Sequence, residues 1–566
     1  MAIINIEDFF GFDKQEPVNR ISYTEEDAKY KLKYIKVMQD LGMKITIDDA
    51  GNICGTLPGK FSKNKNLVMG SHTDSVFNGG QFDGPVGVYM ALKAVEEFKK
   101  NSKGAQYGNL KVAIYACEES SRFSKACLGS HYISGELSFE DLAKLKDKQG
   151  VSFSEAIAIY KEYISSHLAD YGIDLNNIEF VDKILTPEEV TKAVEGHIEQ
   201  SERISNLGRD IGIVDSIGKP VRGNITIQGE NSIVTSAKVV KELTELAKAS
   251  KLEDEENLRI TIPRFDSNVN SGDVKTVTST SDKKLISISV FGKNNHSGAT
   301  PMDQRQDSVL SLSELILRLQ KFKESNPGVE FEFLGATTPK WGANQVQNYA
   351  NLILRVDSNL IEAEQEMEDS EQDENGVAKS ARKIKFLEVL KAFSDDIQAE
   401  ENVRFEMRNI DEATVSTKPF SSLFVDVRQQ GSVKGNESRD RIFELFKKIQ
   451  HMKGLKSNSI SCKILEKGDP VQTAPELLED LKGICEEKGI PYVKMHSWPG
   501  HDLACILPPS NKKGKRILFF IPSQGGSHNP NETTSKEAIE IGTDVYTTFV
   551  NKTMRDFQKE YEQGVR

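Results

Sequence analysis

The stretch "NLVMGSHTDSVFNGGQFDGPVGVYMALKAVEEFKK", Asn66 to Lys100, constrains the fold more than any other part of the chain. It passes from a continuous apolar run through a glycine-rich turn into apolar residues at helical spacing. A strand without polar alternation is buried on both faces, the condition of strands in parallel sheets covered by helices. "LKVAIYACEE" reads as the next strand and "SFSEAIAIYKEYISSHL" as another helix with an N-cap serine. Near the C-terminus the rhythm resumes, with "APELLEDLKGICEEKG" as a helix closed by Gly489, "RILFFIPS" as a strand, and a long helix from about Ser535. The fold class is therefore α/β, with both ends of the chain contributing to one sheet.

Between about Ile213 and Arg428 the pattern changes. Strand-like pieces ("VRGNITIQGE", "KKLISISVFGK", "FSSLFVDVRQ") are separated by helical ones ("SAKVVKELTELAKAS", "SVLSLSELILRLQKFKE"). A chain of 566 residues exceeds what one core usually supports. We therefore expect a discontinuous α/β domain, residues 1–212 and 429–566, interrupted by an α+β domain at 213–428.

Composition excludes several classes. A net charge of -12 argues against nucleic acid, and the densest charge run, "EAEQEMEDSEQDE" at 362–374, is acidic and reads as solvated surface. No run approaches the roughly 18 apolar residues of a membrane span. "MAIINIEDFFGFDKQEP" lacks the basic-then-apolar order of a secretory signal. Cys54, Cys117, Cys127, Cys462, Cys485 and Cys505 lack CxxC spacing, so we expect free, mostly buried thiols in a reducing cytoplasm, and no nucleic-acid or membrane partner.

The chemistry-bearing residues sit where strands end. "NLVMGS" delivers His72 and Asp74 to its C-terminal edge, where open α/β sheets place ligands, and Asp83 follows just before a helix. Asp74 is placed to hold the second ring nitrogen of His72. "AIYACEESSRF" ends in Glu118 and Glu119, neighbouring carboxylates that repel at a buried edge unless a cation offsets them. His197, in "AVEGHIEQS", and His528, in "FFIPSQGGSHNPNETT", occupy similar settings. Together with His72, Asp83 and Glu119 they make an N/O donor set suited to two divalent ions sharing a carboxylate, Zn²⁺ first and Mn²⁺, Co²⁺ or Ni²⁺ after it.

Six motifs, "GSHTDSVFNGGQFDGPVGV", "CEESSRF", "GHIEQ", "NNHSGATPMDQRQDS", "PGHD" and "IPSQGGSHNPNETT", occur in order between about Gly70 and Thr534. The series resembles that of the binuclear-zinc amidohydrolases of the hydantoinase/carbamoylase type. That group includes N-carbamoyl-L-amino acid hydrolase, β-ureidopropionase and allantoate amidohydrolase, within the aminoacylase and carboxypeptidase superfamily. The resemblance implies a metal-binding catalytic domain with a ferredoxin-like dimerisation domain inserted in it. It implies that His72, Glu119, His197 and His528 hold two metals bridged by Asp83, with Glu118 as general base. It implies that His296, in "NNHSGATPM", stabilises the oxyanion in the active site of a partner subunit, so that a homodimer is needed. Gln200, His501, Arg428 and an asparagine are implied near the substrate; Asn344, in "KWGANQVQNY", fits the asparagine motif. The chain departs from the pattern at Ser201, where relatives usually carry glycine, and in extra sequence near 233–284 and 358–414.

The expected activity is hydrolysis of a linear C–N bond in an N-carbamoyl-amino acid, N-carbamoyl-β-alanine or allantoate, releasing ammonia and CO₂. A dipeptidase or N-acyl-amino acid hydrolase on the same metals is the alternative, since fold and metals alone do not choose the amide. A non-catalytic binding protein is the third reading, and the complete donor set with Glu118 argues against it.

Overall fold

The computed structural model describes the chain apart from residues 1–3, 13–15, 61–63, 102–107, 230, 253–254, 257, 269–273, 340–344, 362–385, 418, 430–443, 445–446, 450–459, 467, 469, 509–510, 512 and 565–566. The acidic run at 362–374 and Asn344 lie outside the described residues.

Two large sheets organise the molecule. In chain order, β1 (Lys44–Ile47), β2 (Ile53–Leu57), β3 (Asn66–His72), β4 (Asn109–Tyr115), β5 (Ile178–Phe180), β6 (Lys192–Ile198) and β7 (Ile211–Ile217) enter the first sheet. Then β8 (Val221–Gln228), β9 (Leu258–Ser267), β10 (Lys283–Phe291), β11 (Phe331–Thr337), β12 (Tyr349–Asp357), β13 (Arg404–Ile410), β14 (Phe420–Gln429) and β15 (Ile460–Glu466) build the second. The chain returns to the first with β16 (Val471–Gln472), β17 (Tyr492–Ser497) and β18 (Lys515–Ile521).

The first sheet runs β16-β7-β18-β6-β3-β4-β2-β1-β5, with β17 also paired to β7. Its centre is parallel: β18 with β6, β6 with β3, and β3 with β4. Every residue of β3 and of β6 is buried, as their apolar sequences require. Helices Pro85–Asn101 and Lys536–Glu562 cover this centre. Local signals hold where they were read: Ser152 caps helix Phe153–His167 through a capping box with Glu155, Ser535 caps the last helix, and Gly489, at φ 67°, ends helix Pro475–Lys488.

The second sheet is antiparallel throughout, in the order β13-β10-β12-β11-β9-β14-β8-β15. The sequence places the change of pattern at residues 213 and 428. In the structure, sheet membership changes between Ile217 and Val221 and again between Glu466 and Val471. The shift arises because β7 pairs with β18 and β17, while β15 pairs with β8. Among the described residues, no helix is long and apolar enough to cross a membrane.

Candidate metal centre

Four neighbouring parallel strands explain why residues distant in sequence converge. His72 is the last residue of β3, Glu118 and Glu119 follow β4, His197 lies in β6, and His528 lies in the loop after β18. Adjacent strands lie about 4.8 Å apart, so the carboxyl ends of four of them gather side chains into one small volume. Asp83 reaches that volume from the turn before helix Pro85–Asn101. Gly84, at φ 89°, completes the turn, and a Cβ there would run into the His72 ring.

Among the described residues the convergent atoms form three trios, of which two share one carboxylate: His72, Asp83 and His197, and Asp83, Glu119 and His528; the third joins His197 to Glu195 and His501. All five residues of the two sharing trios are buried. His197 Nε2 lies 3.3 Å from Asp83 Oδ1, and His528 Nε2 lies 3.1 Å from Glu119 Oε1 and 3.7 Å from Asp83 Oδ2. His72 Nδ1 sits 3.0 Å from the Asp74 carbonyl, and His197 Nδ1 2.8 Å from the Ile198 carbonyl. A carbonyl only accepts, so each Nδ1 carries the proton and each Nε2 presents a lone pair. Those two Nε2 atoms face each other at 3.5 Å beside the Asp83 carboxylate. Lone pairs so arranged repel unless a cation lies among them. Glu119 Oε2 and His528 Nδ1 are buried without hydrogen-bond partners, which fits the same requirement. Burial alone would raise the Asp83 carboxyl, but positive charge among His197, His528 and His72 outweighs it and holds it down at about 2, the charge a bound cation would also supply.

The Asp74 backbone carbonyl takes the His72 ring; its carboxylate lies 3.7 Å from Nδ1 and instead accepts from the backbone N–H of Glu118 (3.2 Å) and Glu119 (3.1 Å) and from Ser22 Oγ (2.7 Å). Asp74 thus shapes the turn that presents both glutamates. Gln200, expected beside the substrate, lines the cleft, and its amide donates to both Asp83 carboxylate oxygens at 2.9 Å. Ser527 Oγ also donates to Asp83, at 2.6 Å, while Glu532 accepts from the Asp83 backbone N–H (3.0 Å) and lies 2.8 Å from Ser527 Oγ.

Around these trios opens a cleft of about 670 Å³ that includes Glu118, His296, His501 and Arg428. Burial, with Glu119 beside it, pushes the Glu118 carboxyl well above the usual carboxylate range. Cys127 donates its thiol to Glu118 at 3.4 Å. The resemblance implies that His296 serves a partner subunit; in the structure it lines the cleft of its own chain, its ring 4.4 Å from that of His528. The Ala299 N–H donates to His296 Nδ1 at 2.9 Å, which leaves the proton on Nε2. Burial and the nearby His528 and Arg428 charges push this imidazole well below its ordinary range, so it is neutral. His501 lies against His197, centroids 4.7 Å apart, with Nε2 3.0 Å from Ser497 Oγ. Arg428 donates to Asp426 at 2.9 Å and to the Trp498 carbonyl at 3.1 Å. The remaining wall holds Lys125, Lys219 and Arg516. Glu136, also on that wall, pairs with His131 at 2.6 Å.

The family model described as peptidase family M20/M25/M40 matches residues 68–552. The chain belongs to this family. Over 537 residues the M20 chain is 27% identical to an uncharacterized hydrolase of Haemophilus influenzae, covering 93% of this chain and 91% of that one. It is 30% identical over 278 residues to an allantoate amidohydrolase of Bacillus subtilis, covering 47% of this chain and 63% of the relative. The crystal structure of AtUAH in complex with glyoxylate is similar at a TM-score of 0.48 and 19% identity, covering 96% of this chain and 94% of that one.

Sequence reasoning missed Glu532, Ser527, Cys127 and the cationic wall of the M20 chain. Glu532 and Ser527 stand in the motif around His528, so proximity to a ligand was their signal. Lys219 and Arg516 carry none, because only the tertiary structure faces them into the cleft.

Proposed function

We propose that this chain is a metal-dependent hydrolase of a linear ureido C–N bond in a small acid: an N-carbamoyl-amino acid, N-carbamoyl-β-alanine or allantoate. The observation that carries the reading is the pair of imidazole lone pairs facing one another at 3.5 Å beside Asp83, with a half-buried glutamate adjacent. The Bacillus relative's name supports the ureido choice, and the Lys125, Lys219 and Arg516 wall supports an acid as substrate. We assign two ions: one to His72, Asp83 and His197, the other to Asp83, Glu119 and His528, with Zn²⁺ first and Mn²⁺, Co²⁺ or Ni²⁺ as other candidates. A cytoplasmic location is part of this reading, and the free cysteines support it.

Bound there, the ions would lower the pKa of an attacking water and polarise the substrate carbonyl. Glu118 takes the proton of that water and returns it to the leaving nitrogen, the work of a general base turned acid. The raised basicity that burial gives Glu118 suits it to both halves of the exchange. His296, neutral and protonated on Nε2, donates a hydrogen bond to the carbonyl oxygen as negative charge develops. Gln200 and Ser527 fix the rotamer of Asp83 so that each carboxylate oxygen faces its own trio. Arg428 and the cationic wall hold the acid group.

The test is ammonia release by purified protein supplied with Zn²⁺, Mn²⁺, Co²⁺ or Ni²⁺, using N-carbamoyl-β-alanine, N-carbamoyl-L-amino acids and allantoate, with amine release from dipeptides measured alongside. Chelator-sensitive ammonia from one ureido acid is the expected result. Amine from dipeptides with no ammonia would replace this reading by the dipeptidase one.

A further inference from the structure

The second sheet contains the same topology twice. Strands β10, β11, β12 and β13 alternate with helices Ser308–Ser325 and Phe386–Glu401 as β-α-β-β-α-β, in spatial order β13-β10-β12-β11, the fourth strand beside the first and the third beside the second. Strands β8, β9, β14 and β15 repeat that arrangement in mirror sequence along the sheet, β9-β14-β8-β15, with helix Ser232–Ala249 between β8 and β9. Between β14 and β15 residues 444 and 447–449 are helical, with Ile449 in the shared core. One unit is nested inside the other, between β9 and β14. They meet through their second strands, β9 and β11, at Ser267 and Ala336. A single hydrophobic core runs through both, and Lys241 pairs with Glu314 across their first helices at 3.1 Å.

The nested unit carries His296, on the loop after β10. That loop is pinned to the outer unit by buried arginines. Arg305 donates to the Ile260 carbonyl (2.8 Å) and Thr261 Oγ1 (2.9 Å) of β9, and to the Ser297 (2.6 Å) and Thr300 (3.1 Å) carbonyls of the loop. Arg259, also on β9, donates to the Gly298 carbonyl and stacks over Trp498 of the first sheet's end at 4.2 Å. Asn295 lies against Gly526, two residues before His528. The His296 loop is thus fixed by backbone carbonyls to elements of its own chain on both sides. The nested unit also takes up the Ser267 end of the β9 edge, where Ser267 pairs with Ala336 and the Phe265 N–H donates to Thr338 Oγ1 at 2.9 Å, a place where another copy could otherwise add. At the far end of the sheet, β13 exposes Arg404, Glu406 and Arg408, charges that discourage strand addition.

We infer that the nested unit acts as a built-in partner: it supplies His296 to the metal centre of the same chain, so each chain carries a complete active site and turns over without a second copy. This rests on the ureido-hydrolase reading only for its activity arm. It also gives the extra sequence near 233–284 and 358–414 a function, since most of its described strands and helices belong to the two joined units.

Two experiments test it. Glu118→Gln and His296→Ala proteins are each inactive or nearly so when alone; mixed after co-expression, they stay inactive if His296 acts within its chain. Exchange across a dimer would restore about a quarter of wild-type specific activity, one competent site in half of the assemblies, and would overturn the inference. The second arm needs no substrate. An Asn295→Cys/Gly526→Cys protein, oxidised and run under denaturing non-reducing conditions, is expected to crosslink within one chain and migrate at the 63.1 kDa monomer position. A band at twice that mass, or thiols that remain free, would overturn it. Wild-type silence on every ureido acid would count against the proposed function alone, because the crosslink reports the contact independently.

Discussion

Glu118 and Asp83 show at the residue scale how neighbouring carboxylates take different roles. Asp83 is surrounded by three imidazoles and two donors and stays ionised; Glu118 has Glu119 and burial against it and holds its proton more tightly. Removing that carboxylate without changing shape isolates proton transfer. Glu118→Gln is expected to lower turnover about 10²- to 10⁴-fold while metal content, measured by elemental analysis, stays at the parent level. Gln200 acts through Asp83, so Gln200→Leu should weaken metal binding about 10- to 100-fold in a chelator competition. A different signature belongs to Lys219, half-buried on the cationic wall. Lys219→Met should raise KM for the ureido acid and leave kcat nearly unchanged, because the charge holds ground state and transition state alike. A fall in kcat with KM unchanged would place Lys219 at the reacting carbon instead.

Among the elements, the covering helix Pro85–Asn101 sets how closely the site can be built. Gly87 lets this helix approach β6, and a Cβ there would collide with the Gly196 carbonyl, which is backbone and cannot yield. Gly87→Ala is expected to cost about 1 to 3 kcal/mol in urea unfolding, and to disturb Asp83, which stands just ahead of the helix. The turn after β4 is similarly constrained: Cys117 adopts φ 55° and the Asp74 carboxylate gathers the next two N–H groups. Such a turn was legible as a pair of glutamates ending an apolar strand. Asp74 holds His72 as the spacing indicates, but spacing does not show that its carbonyl takes the ring while its carboxylate organises this turn.

For the whole molecule, the five buried donors come from different strands, loops and turns, so a bound cation would tie these elements together. Stripping metal with a chelator should therefore abolish turnover and lower the melting temperature, and adding back divalent ion should restore both, since a ligand bound only by the native state stabilises it. Unchanged melting on chelation would mean the donors hold no ion in the native protein. The two sheets meet at this centre: β3, β4, β6 and β18 present the metal donors, while the loop after β10 closes over them with His296.

The sequence by itself determined the alternation that builds a parallel sheet, the strand ends that carry His72, Glu118, Glu119 and His197, and the His528 loop, because burial patterns and local turn chemistry are written within a few residues. Tertiary structure alone decided that Gln200 serves Asp83, that Lys219 and Arg516 face the cleft, and that β15 belongs with β8. It also decided the origin of His296, whose sequence motif is the same whether it reaches its own site or another's. Strand order is a long-range property: two β-α-β-β-α-β units can pair edge to edge within a chain or between chains, and only the packed sheet shows which edge has been filled.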